Sequence, residues 1–117
     1  MNLPILFQRI EGVALFGAAT FIYFDNNFSW LFYILLLFVF DISMVGYFAN
    51  ARLGAWLYNI GHSLVIPSFL VAIYLFVLSD VLLGLICLWF AHIGFDRALG
   101  YGLKFPSGFK RTHLGEL

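Results

Sequence analysis

The sequence predicts an all-α fold: an integral membrane four-helix bundle with short connections and a cytoplasmic C-terminal tail. Three observations carry that expectation. Of the 117 residues, 63% are hydrophobic and 10% charged, whereas soluble domains run at about 45–50% apolar and about 25% charged. A chain so composed has too little polar surface to cover a core in water. The mean hydropathy is +0.99. The apolar residues also fall into four runs, each close to the roughly 20 residues that a spanning helix needs. One domain, 1–117, is expected at this length. The lipid bilayer is the expected partner, and with a formal net charge of zero nucleic acid is not.

The first helix is expected over about 3–24, with Pro4 suited to a first turn and Asp25-Asn26-Asn27 as its stop. Gln8, Arg9 and Glu11 make its first half the least apolar of the four runs. The second is expected over about 28–48, ending near Asn50. The third, about 53–78, carries Pro67, which marks a kink. Ser79-Asp80 separates it from the fourth, about 80–99, with Asp80 as the expected N-cap. Gly100 is a natural C-terminal stop, and residues 100–117 form the tail. Connections this short make sequential helices antiparallel neighbours.

Orientation follows from the cations. Arg9, Arg52, Arg97, Lys104, Lys110 and Arg111 fall on the side of the termini, and the opposite breaks carry Asp25 and Asp80. Both termini are therefore expected to be cytoplasmic. Trp30 and Tyr33 suit the outer aromatic belt; Trp56, Tyr58 and Tyr101 suit the inner one. The single cysteine, Cys87, forms no intrachain disulfide and reads as a small buried hydrophobe.

Polar groups inside apolar helices are costly and point to function. Glu11, Asp41, His62, His92 and Asp96 all fall within roughly 5–14 Å of the cytoplasmic boundary at a helical rise of about 1.5 Å per residue. Four helices thus contribute to one layer. His92 and Asp96 are i,i+4 and share a face, as do Asn59, His62 and Ser63. Gly12, Gly17, Ala18, Gly61 and Gly94 suit close backbone approach.

A mixed set of histidines and carboxylates suits Zn, Fe or Mn. A catalytic zinc uses three protein ligands and an open water position. His62, His92 and one of Asp41 or Asp96 are the candidate ligands. The remaining Asp or Glu11 is the candidate general base. Arg97 is a candidate partner for a phosphate or carboxylate of a lipid-like, amphipathic substrate. The basic tail suits an interfacial strap on anionic headgroups; alternatively it is a lid that brings His113 to the layer as a further ligand. Three other readings compete. In the first, the bundle is structural or partner-binding: Asp41 is held by Tyr47 or Asn59, and Asp96 and Arg97 pair with Arg9 and Glu11. In the second, an oligomer conducts protons or small solutes. In the third, His62 and His92 hold a haem, without a CxxCH attachment motif.

Three stretches carry a resemblance: Phe40-Asp41-Ile42-Ser43-Met44-Val45-Gly46-Tyr47, Tyr58-Asn59-Ile60-Gly61-His62-Ser63, and the run from Ala91-His92 through Asp96-Arg97 to Lys104, continuing at Thr112-His113-Leu114-Gly115. Together they resemble a family of small bacterial integral membrane proteins, domain of unknown function 4260, over nearly the whole chain. That resemblance implies a compact four-helix protein of the bacterial inner membrane and no particular activity. Gly61-His62-Ser63 followed by His92, Asp96 and Gly100 is also similar to bacterial inner-membrane, metal-dependent hydrolases. Those carry a further histidine about a turn earlier, where this chain has Leu57 and Tyr58.

Overall fold

The computed structural model describes residues 3–37, 41, 46–103, 111–112 and 115–116. It is all-α, with helices α1 (Leu3–Asp25), α2 (Trp30–Leu37), α3 (Ala51–His62), α4 (Val65–Val77) and α5 (Asp80–Leu99). α3 and α4 follow one another as one interrupted helical segment, Ala51–Val77, so the helices among the described residues make four passes of the chain along the bundle. In the tail, β1 (Arg111–Thr112) pairs antiparallel with β2 (Gly115–Glu116). Three of the passes, α1, α3–α4 and α5, are long and apolar enough to cross a membrane.

The second pass departs from expectation. Among its described residues, regular α-helix covers Trp30–Leu37, 8 residues of the span expected over 28–48. Asp41 lies in a tight 3₁₀ turn, and Gly46–Phe48 form another. Residues 38–40 and 42–45 lie outside the described set.

Helix ends follow local chemistry. Asn27 closes α1 in the left-handed region, φ 58°, which its short polar side chain tolerates. Asn50 caps α3 rather than ending the second helix: its Oδ1 accepts the Leu53 N–H at 2.8 Å. Ser79, not Asp80, caps α5, its Oγ accepting the Leu82 N–H at 3.3 Å. Asp80 instead sits in the first turn, where a carboxylate favours the helix dipole. Gly100 ends α5 at φ 95°, with its N–H returned to the Arg97 carbonyl at 3.1 Å and that of Tyr101 to Asp96 at 2.8 Å.

Pro67 acts one turn ahead of itself. A proline ring excludes the carbonyl of residue i−4 and supplies no N–H; here that carbonyl belongs to Ser63. The chain breaks there, with Ser63 extended at ψ 149°. α4 restarts at Val65 with Pro67 in its first turn, where a missing N–H costs nothing. The expected kink is thus a break that makes His62 the last residue of α3.

α5 is the centre of the bundle and α1 lies along it. Their backbones touch at two glycines. A β-carbon on Gly12 would fall 2.7 Å from the Ala98 nitrogen, and one on Gly94 would fall 2.6 Å from the Phe16 nitrogen. Gly17, expected at a close approach, has nothing within 4 Å of such an atom. Arg9 Nε donates to the Ala98 carbonyl at 3.0 Å, a cation at a helix C-terminus where the dipole favours it. Phe7, Phe21, Trp30, Phe32, Phe69 and Phe76 are exposed, Phe76 at 90%. So continuous an apolar exterior is unfavourable in water and is compatible with association with a lipid bilayer.

Candidate metal centre

α5 presents His92 and Asp96 one turn apart on one face. α3 delivers His62 at its final residue, and the second pass delivers Asp41. The two histidine Nε2 atoms lie 2.9 Å apart. Asp41 Oδ1 is 3.3 Å from each of them, and Asp96 Oδ2 is also 3.3 Å from each. All four donor atoms lie within 4.8 Å of one another. His92 is 0% exposed and His62 4%. The Asp96 side chain is 16% exposed and that of Asp41 42%, so the cluster is closed at the histidines and opens past Asp41.

The protonation pattern of His62 follows from its partners. Its Nδ1 lies 2.9 Å from the Tyr58 carbonyl oxygen. A carbonyl only accepts, so Nδ1 carries the hydrogen. In the neutral ring this leaves Nε2 as a lone pair aimed into the cluster, the arrangement that second partners impose on metal-binding histidines. The Tyr58 ring stacks on the imidazole with centroids 3.8 Å apart and planes 5° from parallel. Ionised carboxylates are acceptors only. Acceptors from His62, Asp41 and Asp96 therefore converge on His92 Nε2 at hydrogen-bond separations, an arrangement that a cation or a shared proton satisfies.

The donor set fits a first-row metal. Ligands about 2.0–2.2 Å from an ion, with angles between right-angled and tetrahedral, stand roughly 2.9–3.5 Å apart. The separations that involve the two Nε2 atoms, 2.9 Å and 3.3 Å, fall in that interval, while the four donor atoms together span up to 4.8 Å, which suits the two histidines with one carboxylate as the ligand set. Two imidazoles and two carboxylates suit Zn, Fe or Mn. A haem is a poor fit, because two axial histidines lie on opposite faces of a macrocycle. Here the two Nε2 atoms face each other with no room for one.

The other expected site residues lie elsewhere. Glu11 is exposed on α1 and outside the cluster. Arg97 follows Asp96 but is turned about 100° around the helix. Its β-carbon packs at the α1 crossing, 2.8 Å from the position a Gly12 β-carbon would take. His113 lies outside the described residues. Tyr58 is not a belt residue: it is buried against His62. Sequence reasoning also missed Trp89, whose Nε1 donates to the Gly61 carbonyl at 2.7 Å. Both were within reach, since Tyr58 lies one turn before His62 and Trp89 one turn before His92.

Residues 6–117 match the family model described as domain of unknown function, DUF4260. The chain belongs to the DUF4260 family. The matched region contains all four members of the cluster. No curated protein and no solved structure matches this DUF4260 chain. Its chemistry is therefore argued from its own geometry.

Proposed function

We propose that this DUF4260 protein holds one divalent first-row metal ion within the membrane and hydrolyses a lipid-like, membrane-partitioning substrate there. The observation that carries this reading is the convergence of two imidazole nitrogens and two carboxylate oxygens, from three passes, on one point. The buried His62 and His92 and the partly buried Asp96 are the ligands in this reading. Such an ion supplies a polarising charge for an ester or phosphoryl oxygen and brings the pKa of water toward about 7. Asp41, the most exposed of the four, is the general base. It accepts a proton as the water oxygen attacks and returns it to the leaving group. That role falls to Asp41 rather than Glu11, which lies outside the cluster. A groove of about 420 Å³, lined by Ala55, Asn59, Ser63 and Ile66 among others, runs beside the end of α3 and suits an apolar chain. In this reading the protein sits in the bacterial inner membrane with both termini cytoplasmic, an orientation that the cation asymmetry supports.

Metal analysis of the detergent-purified protein tests the proposal. One equivalent of a transition metal is expected, lost in His62→Ala, His92→Ala and Asp96→Ala. Protein without stoichiometric metal, whose stability a chelator leaves unmoved, sinks it. The second reading then holds: a structural bundle tied by a proton-sharing network. The 2.9 Å contact between the Nε2 atoms favours it, being of hydrogen-bond length. Under that reading the same substitutions lower thermal stability and change nothing else.

A further inference from the structure

The interruption between α3 and α4 is wired in a way that the metal site alone does not require. In an unbroken helix the Val65 N–H would donate to the Gly61 carbonyl, four residues back. Pro67 prevents that winding by excluding the Ser63 carbonyl. The Val65 N–H turns instead to Ser63 Oγ at 3.3 Å. The Gly61 carbonyl, so released, receives the Trp89 indole N–H at 2.7 Å. In a hydrocarbon environment a released carbonyl needs such a partner, because water is not there to supply one.

Trp89, His92 and Asp96 follow one another at i, i+3 and i+7, so they share one face of α5. That face makes three contacts with the end of α3: indole to the Gly61 carbonyl, imidazole to His62, and carboxylate to His62. The first lands on the residue immediately before the ligand. We infer that Trp89 is a positioning residue for the metal site, holding the broken end of α3 so that His62 Nε2 meets His92 and Asp96. The inference rests on the metal reading above. Loss of the indole N–H leaves the Gly61 carbonyl without that donor while Pro67 still blocks its return to the Val65 N–H, so the end of α3 loses the tie that fixes His62. Pro67 acts from the other side of the same hydrogen-bond exchange.

The test is cobalt(II) titration of metal-free protein in detergent, followed through the visible ligand-field absorption. Trp89→Phe keeps the ring and removes the donor. It is expected to weaken cobalt binding by about 10–100-fold, the usual cost of removing a ligand's supporting partner, and to change the absorption spectrum. Pro67→Ala is expected to move both readouts in the same direction. The double variant is expected to be little worse than the weaker single one, because both substitutions break one exchange. A Trp89→Phe protein with wild-type affinity and spectrum overturns the positioning role and leaves the metal reading intact. If that variant does not fold, Pro67→Ala decides: a wild-type spectrum there overturns the inference. Wild-type protein that binds no cobalt removes the metal reading itself.

Discussion

Asp41 and Asp96 approach the same two nitrogens at the same 3.3 Å, yet their surroundings differ, and the roles proposed for them differ accordingly. Asp96 is fixed on an unbroken helix, one turn from His92, and its side chain is 16% exposed. Asp41 arrives from a short turn and is 42% exposed. Asp96→Asn is therefore expected to weaken metal binding by at least about 10–100-fold. Asp41→Asn is expected to keep the metal and lose about 10²–10⁴-fold in turnover, the usual contribution of a general base. Metal titration, with hydrolysis of p-nitrophenyl carboxylate and phosphate esters, separates the two. Loss of the metal in Asp41→Asn would make Asp41 a fourth ligand and close the site to substrate water. The pairing of His92 with Asp96 was legible as an i,i+4 repeat. The joining of His62 and Asp41 to them was legible only as a shared depth, because sequence spacing says nothing of rotation between separate helices. Tyr58 illustrates the limit. Its composition suits an interfacial belt, and only its place under the His62 ring shows what it touches.

At the level of elements, apolar run length reveals where helices lie and not where they stop being regular. Three of the four passes appear close to their expected bounds. The second does not, because Asp41 sits in an apolar run that reads as uninterrupted while its backbone forms a tight turn. The third is divided for a reason visible in the sequence, Pro67, but the division falls at Ser63, four residues earlier. Small residues were equally ambiguous. Gly12 and Gly94 meet across α1 and α5, whereas Gly17 meets nothing. This contrast yields a paired prediction. Gly94→Ala forces a methyl group into the Phe16 backbone and is expected to cost about 1–3 kcal/mol. Gly17→Ala adds a methyl in open space and is expected to be neutral or to stabilise by about 0.5–1 kcal/mol, through the better helix propensity of alanine. Thermal unfolding of the two variants in one detergent checks both. Equal effects would contradict the backbone contact between α1 and α5.

For the whole molecule, the cluster is where separate passes are tied together. α1 is fixed to α5 by the glycine crossing and by the Arg9 bond to Ala98, a joint independent of the site. The end of α3 and the turn at Asp41 meet α5 through the four donor groups. A metal bound there stabilises the folded form by mass action, by about 4 kcal/mol when free metal exceeds its dissociation constant a thousandfold. A chelator is therefore expected to lower the melting temperature of the wild-type protein and to leave that of His62→Ala/His92→Ala unchanged. The sign of the pH dependence follows from the same competition. Imidazole nitrogens and carboxylates bind metal only when deprotonated, so protons displace the ion. The metal-dependent part of the stability is complete at the alkaline end and is lost as the pH falls. The gap between melting temperatures with and without chelator should therefore be widest near pH 8 and shrink toward pH 5. A proton-shared network without metal makes the opposite contribution, since its stabilising proton is taken up in acid and lost in base. Melting curves across this range, with and without chelator, distinguish the two. A chelator-independent stability that rises on acidification would assign the cluster to the structural network.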